Sequence, residues 1–219
     1  MMHYNEILLN DKNIEIEILE KVFIKKSINP ENFYLTGYEY IPLAKNRTFA
    51  LETILTSVIS PGKQIIIFDS GEENILPVEL CLKNDINFKT INTTDYKPDI
   101  EQLESLLNNH SGFTHACISL TDTSLYAFGI QKTLEVLARY NVNVIINYSG
   151  NVKNLVSLDI NNFDYLAAGT GHDNVSFVAA RRSRLVQTEG NARSIAKDLH
   201  GFWQQTLRNR RRKIEPMCI

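Results

Sequence analysis

The sequence predicts an α/β fold in three layers (α/β/α), with a mostly parallel sheet between two layers of helices. Short apolar runs of strand length alternate along the chain with segments of helical periodicity. Several of these runs are apolar at consecutive positions, as in strands that are buried on both faces. Such alternation is typical of parallel sheets, because a parallel connection needs a crossover that is usually a helix.

The predicted helices are justified by apolar spacing and by the residues that end them. The first carries an apolar stripe at helical spacing and ends before Asn29-Pro30, and the second ends at Pro61-Gly62. The fourth turns Ile100, Leu103, Leu106 and Leu107 to one side. The full set comprises residues 16–27, 48–59, 75–83, 99–107, 134–140 and a last helix near 193–210.

The predicted strands are short and rich in β-branched or small apolar residues. The clearest contains Ile65-Ile66-Ile67, which lacks any polar alternation and therefore indicates a buried strand. The set comprises residues 64–68, 88–91, 114–119, 144–147, 163–172 and 177–182. The chain shows no internal repeat or linker, so its 219 residues are expected to form a single domain, residues 1–219.

Charge and composition restrict the classes of partner. A net charge of −2 favours neither nucleic acid nor another polyanion, and the basic cluster at 208–213 is better explained as the C-terminus of a helix. The apolar runs are too short to span a bilayer, so no membrane association is expected. The N-terminal residues lack a signal-peptide pattern and the cysteines lack CxxC spacing, which indicates a cytoplasmic protein. No ligand spacing suggests a metal site.

Five blocks of sequence, none of them specific alone, occur in an order that is specific. They are residues 114–119 followed by Thr121-Asp122-Thr123-Ser124, residues 134–140, Val144-Ile145-Ile146-Asn147, residues 177–182, and residues 190–200 with Trp203. In this order they resemble the 2-aminoethylphosphonate–pyruvate transaminases, which are class V aminotransferases of pyridoxal-phosphate (PLP) fold type I. The resemblance implies the large domain of that fold, without most of the family's N-terminal arm and without its C-terminal small domain.

The differences from this family fall at positions that carry its chemistry. Counting without gaps along the strand that begins at Phe163 places His172 where the family has its Schiff-base lysine. Asn147 stands where the family has an aspartate that keeps the cofactor ring protonated, which an amide does less well. The glycine-rich phosphate loop is replaced by Lys45-Asn46-Arg47-Thr48. The resemblance therefore implies that ordinary transamination is lost.

The candidate site residues each have a second explanation. His172 is the catalytic candidate, as a general base or an anion contact, unless it is a drifted residue in a loop that lost its function. Asn147 either binds a ligand at a strand end or starts a turn. Thr48 either contacts an anion or caps its helix. The predicted cofactor-binding residues are Asn46, Arg47, Thr48, Asp122, Thr123, Ser124 and Asn147, although 121–124 would also suit a polar loop.

Several functions remain open at this stage. The first is a non-transaminating pseudoenzyme with no PLP, or a degenerate PLP site without covalent cofactor, that forms a homodimer or pairs with an aminotransferase-like partner. The second is a repurposed enzyme that uses His172 as a base on a small anionic phosphonate, phosphate or amino-acid-like ligand, with Asn147, Asp122 and Thr123 as polar partners. The third is a PLP enzyme that uses another lysine, such as Lys153. A decayed remnant is disfavoured, because the apolar periodicity is intact.

Overall fold

The computed structural model describes residues 37–43, 45–69, 71, 75–124, 130–150, 154, 163–169 and 176–214. The helix predicted at 16–27 and the catalytic candidate His172 lie outside the described residues. No helix within the described ranges is both long and apolar enough to cross a membrane.

The described residues form eight strands and six helices of at least one turn. The strands are β1 (Tyr38–Leu43), β2 (Gln64–Asp69), β3 (Asn87–Thr94), β4 (Lys97–Pro98), β5 (Phe113–Leu120), β6 (Asn143–Tyr148), β7 (Tyr165–Gly169) and β8 (Ser176–Arg181). The helices are α1 (Arg47–Val58), α2 (Ile75–Lys83), α3 (Ile100–Asn109), α4 (Ile130–Arg139), α5 (Arg182–Val186) and α6 (Leu199–Ile214), with a 3-10 turn at Ile195–Lys197.

The strands form one sheet in the order β1-β8-β7-β6-β5-β2-β3-β4. Its centre is parallel, because β2 pairs with β3 and β5, β5 with β6, and β6 with β7, all in the same direction. Strand β8 runs antiparallel to both β7 and β1, and β4 runs antiparallel to β3. The predicted fold class, with a mostly parallel sheet, is confirmed.

Two hydrophobic cores lie on opposite faces of the sheet, and successive strand residues alternate between them. Ile65 and Ile67 join the core beneath α1, α2 and α6, whereas Ile66 and Phe68 join the core beneath α3 and α4. We call these the α1 face and the α3 face. Each run of consecutive apolar residues thus fills two cores at once, which is why the strands lack polar alternation.

Helix α1 is enclosed on more sides than the other helices, since every residue of Ala50–Val58 is buried. Its outer side is covered by the irregular segment at 188–198. The Ser57 hydroxyl donates to the carbonyl of Lys197 at 2.8 Å and accepts from the amide of Leu199 at 3.0 Å. The backbone of this segment is therefore engaged outside any helix, so the last helix begins at Leu199 and the start predicted near residue 193 is wrong.

Candidate functional site

The carboxyl ends of the parallel strands and the N-terminus of α1 meet at one edge of the sheet. Ser176, the first residue of β8, pairs with Gly169 at the end of β7 and with Leu43 at the end of β1. Its hydroxyl donates to the main-chain carbonyl of Asn46 at 3.1 Å, immediately before α1. Open α/β sheets bind their ligands at this edge, outside the carboxyl ends of the strands.

Asn46 caps helix α1. Its side-chain oxygen accepts a hydrogen bond from the amide of Phe49 at 3.0 Å, and its backbone is extended, as expected of an N-cap. The alternative that Thr48 is the cap is therefore wrong, because Thr48 is the second helical residue and lies half-buried in the first turn. Arg47 becomes the first helical residue, at the positive end of the helix dipole.

A partly buried hydrogen-bond chain joins α1 to the two central strands. One guanidinium nitrogen (Nη1) of Arg47 donates to the side-chain oxygen of Asn147 at 2.6 Å. The amide nitrogen of Asn147 donates to the hydroxyl of Ser119 at 3.0 Å. Asn147 is 1% exposed and Ser119 is 2% exposed, whereas Arg47 is half-buried, so the chain runs from Arg47 at the edge into the interior.

The register of the strands places this chain on the α1 face. Asn147 pairs with Ser119 in β5 and with Ala167 in β7, and its neighbour Ile145 belongs to the core of that face. Asn147 lies within β6, which continues to Tyr148, so the alternative that it starts a turn is wrong. Of the predicted site residues, Arg47 and Asn147 are in direct contact, and the cap residue Asn46 precedes Arg47 in the chain.

Ser119 was not predicted as a site residue. It lies inside a buried strand, and its hydroxyl among neighbouring apolar side chains is its only local signal. Its role depends on the register between β5 and β6, which the sequence alone does not specify.

The predicted residues Asp122, Thr123 and Ser124 occupy the loop after β5. The hydroxyl of Ser124 accepts from the amide of Thr121 at 2.8 Å, and the hydroxyl of Thr121 accepts from the amide of Ser124 at 3.1 Å. This reciprocal pair resembles a capping box and holds the turn closed. Thr123 is exposed. The hydroxyls of Thr121 and Ser124 thus bond to the loop itself.

Asp122 is directed to the other face of the sheet. Its carboxylate accepts from the hydroxyl of Tyr148 at 2.5 Å and from the side-chain amide of Asn154 at 2.8 Å. Tyr148 belongs to the core of the α3 face, whereas Asn147 belongs to the α1 face. These two hydrogen bonds of Asp122 lead away from the Arg47–Asn147 contact, and its role in cofactor binding stays a prediction.

Two further ionisable groups lie along β5 on the α1 face, and burial favours the neutral form of both. Burial raises the pKa of the Cys117 thiol far above its usual range, which makes it a poor nucleophile. Burial, with the nearby charge of Arg184, lowers the pKa of His115 to about 3. His115 lies near the start of β5, at the edge opposite the site, and its ring nitrogens contact Thr114 at 2.9 Å and Asn143 at 3.3 Å. It is a structural residue.

Among the described residues, no group of three or more histidine, cysteine, aspartate or glutamate side chains is arranged to hold a metal ion. The arrangement at the site instead offers hydrogen-bond donors and one cation, which suits a ligand that carries acceptor atoms or negative charge.

Comparison with known proteins gives relatives in sequence, although no family model matches the chain. The 2-aminoethylphosphonate–pyruvate transaminase of Klebsiella pneumoniae is 25% identical over 177 residues, which cover 77% of this chain and 48% of that protein. The protein of the same name from Salmonella gallinarum is 22% identical over 89% of this chain and 54% of its own. The chain thus spans about half the length of the curated relatives it matches.

Solved structures with the same fold include aminotransferases. The ureidoglycine–glyoxylate aminotransferase of Bacillus subtilis aligns with a TM-score of 0.62 at 14% identity, over 86% of this chain and 51% of that chain. The aspartate aminotransferase of Thermus thermophilus gives 0.56 at 18% identity, over 77% and 49%. These likenesses confirm the aminotransferase fold, and the curated relatives confirm the predicted resemblance to 2-aminoethylphosphonate–pyruvate transaminases.

The prediction of no PLP, or of a degenerate PLP site without covalent cofactor, requires correction. A solved structure called SPT contains PLP. It has this fold, with a TM-score of 0.54 at 11% identity, over 74% of this chain and 42% of its own. Together with the transaminase relatives, this structure counts against that prediction. The prediction relied on changes at single residues. The helix N-terminus and the strand ends that form this edge come from the whole fold, and those changes leave them in place.

Proposed function

We propose that this chain is a divergent aminotransferase-like protein that binds PLP at the carboxyl edge of its sheet and does not catalyse ordinary transamination. The observation that carries this proposal is the hydrogen bond of 2.6 Å between Arg47, at the start of α1, and Asn147, at the end of β6. It joins the first residue of α1 to a buried amide at a strand end, so the helix N-terminus and the strand end lie side by side at this edge.

The residues at this edge fit the chemistry of PLP. Arg47 and Thr48 lie in the first turn of α1, where the helix dipole and a guanidinium both favour a phosphate group. Asn147 offers an amide that can hydrogen-bond to the ring nitrogen. When bound, PLP supplies an electron-withdrawing ring that stabilises negative charge on a reacting substrate.

Two sequence features support the loss of ordinary transamination. His172, which lies outside the described residues, takes the place of the family's lysine when the strand is counted without gaps. A histidine there supplies an imidazole that exchanges protons near neutral pH, in place of the amine that ordinary transamination uses. Asn147 replaces a carboxylate at the ring nitrogen, which weakens the ring as an electron sink.

The test of this proposal measures binding and turnover separately. The purified protein would be titrated with PLP, dialysed and scanned for cofactor absorbance, and then incubated with 2-aminoethylphosphonate and pyruvate while alanine is quantified. We expect retained PLP and no alanine. Failure to retain PLP would overturn the binding claim, whereas catalytic formation of alanine would overturn the claim of lost transamination. Borohydride reduction followed by intact mass decides whether a lysine such as Lys153 carries the cofactor.

A pair of arginine variants localises the binding. Arg47→Gln removes the cation at the start of α1 and should weaken PLP binding by about tenfold or more, because hydrogen bonds from a charged group contribute about 1.5–3 kcal/mol. Arg208→Gln removes a cation from the exposed part of α6 and should leave the affinity unchanged. Equal affinities in the two variants would place the cofactor elsewhere.

The proposal extends to the oligomeric state of the protein and to its place in the cell. We infer a homodimer, or a heteromer with an aminotransferase-like partner, in the cytoplasm. Ile195 is 97% exposed and Val186 is 57% exposed, which is unusual for apolar side chains of this size and supports a partner. Light scattering coupled to size exclusion would give the mass in solution, and a monomer that persists in the presence of PLP would contradict the homodimer.

A further inference from the structure

We infer that the hydrogen bond between Arg47 and Asn147 closes the carboxyl edge of the sheet in the free protein, and that an anionic ligand opens it by drawing the guanidinium away. The inference rests on the proposed function for the identity of the ligand, since it describes how the same edge admits the phosphate group of PLP. The change involves one side chain, which moves from a closed position on Asn147 to an open position on the ligand.

In the closed position the guanidinium of Arg47 occupies the end of β6. Its Nη1 donates to the side-chain oxygen of Asn147 at 2.6 Å, and Asn147 is 1% exposed, so a ligand has no access to that residue while the contact persists. The charge of Arg47 is also felt inside the sheet. Burial raises the pKa of the Cys117 thiol in β5, and the charge of Arg47 counteracts that rise. The guanidinium therefore fills space that a bound ring would need.

The acceptor of this contact is fixed, whereas the donor can move. Asn147 lies in β6 between β5 and β7, and its amide nitrogen donates to Ser119 at 3.0 Å, which keeps its oxygen turned toward Arg47. Arg47 is half-buried at the first position of α1, directly after the cap Asn46. Its long side chain can therefore change rotamer at the edge while the helix and the strand stay in place.

An anion competes well for the guanidinium. The side chain of Asn147 offers Arg47 one neutral oxygen, whereas a phosphate offers charged oxygens that match the planar guanidinium in pairs. A ligand shifts such an equilibrium only by its different affinity for the two states, and a phosphate at this edge meets the guanidinium in the open state. The free protein is therefore closed, and the closed population lowers the apparent affinity for every ligand of this edge.

The first test follows the side-chain amide of Asn147 by NMR in the full chain. The probe is inorganic phosphate at constant ionic strength, since it carries the charge without a ring. We expect the Asn147 amide signals to shift until phosphate saturates, because the oxygen loses its guanidinium, while those of the exposed turn residue Asn141 stay in place. Phosphate that binds without a shift at Asn147 would overturn the inference, and so would a lack of phosphate binding.

A substitution at the acceptor tests the energetic coupling. Asn147→Leu removes the oxygen that holds Arg47 and keeps a side chain of similar size, so phosphate should bind about tenfold more tightly. A merely structural role of Asn147 would not strengthen binding when it is removed. Asn141→Leu makes the same change at an exposed turn and should keep the wild-type affinity.

Unchanged or weaker phosphate binding in a folded Asn147→Leu protein would overturn the inference. Circular dichroism reports whether the variant folds. If it does not fold, the phosphate titration of wild type decides the question.

A titration with PLP separates this inference from the proposed function. If wild type binds PLP while the Asn147 signals stay in place, the proposed function stands and only the inference is overturned. If phosphate shifts these signals but PLP is not retained, the closing contact stands and the proposed function fails. If neither ligand binds, both fail.

Discussion

Acidification should destabilise this protein through His115. The ring is 5% exposed, and the side-chain amide of Asn143 donates to one ring nitrogen, which requires a neutral imidazole. Burial and the charge of Arg184 lower its folded pKa to about 3, whereas the unfolded chain has a histidine pKa of about 6.5. Between these two values the unfolded state binds one more proton than the folded state, so stability is fully present above the unfolded pKa and falls as the pH is lowered.

The magnitude follows from proton linkage at this one residue. Taking pKa values of about 3 and about 6.5, lowering the pH from about 7 to about 5 removes about 2 kcal/mol from the free energy of unfolding. At about pH 5 the folded ring is still neutral, so the full effect comes from protonation of the unfolded chain. A loss of this size is a large fraction of a typical domain's stability.

The assay is urea unfolding at a series of pH values, compared between wild type and His115→Gln. The variant abolishes this titration, so its free energy of unfolding should fall about 2 kcal/mol less than that of wild type over the same interval. His110→Gln, at an exposed position after α3, should keep the wild-type dependence because the His115 ring is still present. If wild type and His115→Gln lose stability in parallel, the account of a buried neutral ring is refuted.

Three further substitutions test the packing around the site by the same unfolding assay. Glu52→Gln removes the buried charge that binds Lys197 at 2.7 Å, and should cost about 2 kcal/mol and loosen the segment over α1. Asn46→Ala removes the cap of α1 and should cost about 1 kcal/mol. Gly150→Ala would bring a methyl group to 2.4 Å from a carboxylate oxygen of Asp122. It should cost about 1–2 kcal/mol by breaking the hydrogen bond between Asp122 and Tyr148.

Each of these substitutions has a matched control in the chain. Glu101→Gln changes an exposed carboxylate in the first turn of α3, and a loss equal to that of Glu52→Gln would argue against a special role for the buried one. Asn109→Ala, at the exposed end of the same helix, controls for the Asn46 cap and should be nearly neutral. Gly112→Ala meets only Gln64 at 3.7 Å, so Gly150→Ala must be the more harmful of the two glycine changes.

Local signals were sufficient for much of the fold. Helix α2 has the bounds that the sequence predicted, and Asp99, the first residue predicted for α3, is its N-cap and accepts from the amide of Gln102. Strand β2 follows from its isoleucines, because no polar residue interrupts them. Strand β1 was missed, since it contains Glu39 and Pro42, and it exists through pairing with β8 and through the ion pair of Glu39 with Arg182.

By itself the sequence determined the alternation of strands and helices and the burial of the strands on both faces, because these depend on neighbours along the chain. It also showed which residues differ from the family at the positions of its chemistry. Only the tertiary structure decided which of those residues meet. Arg47 and Asn147 are 100 positions apart, and Ser119 meets Asn147 through the register of β5 and β6. Asp122 follows the same strand as Ser119, yet its hydrogen bonds lead to the α3 face. Contacts of this kind depend on which elements lie side by side and on the face each residue occupies, and these are settled only when the whole chain packs.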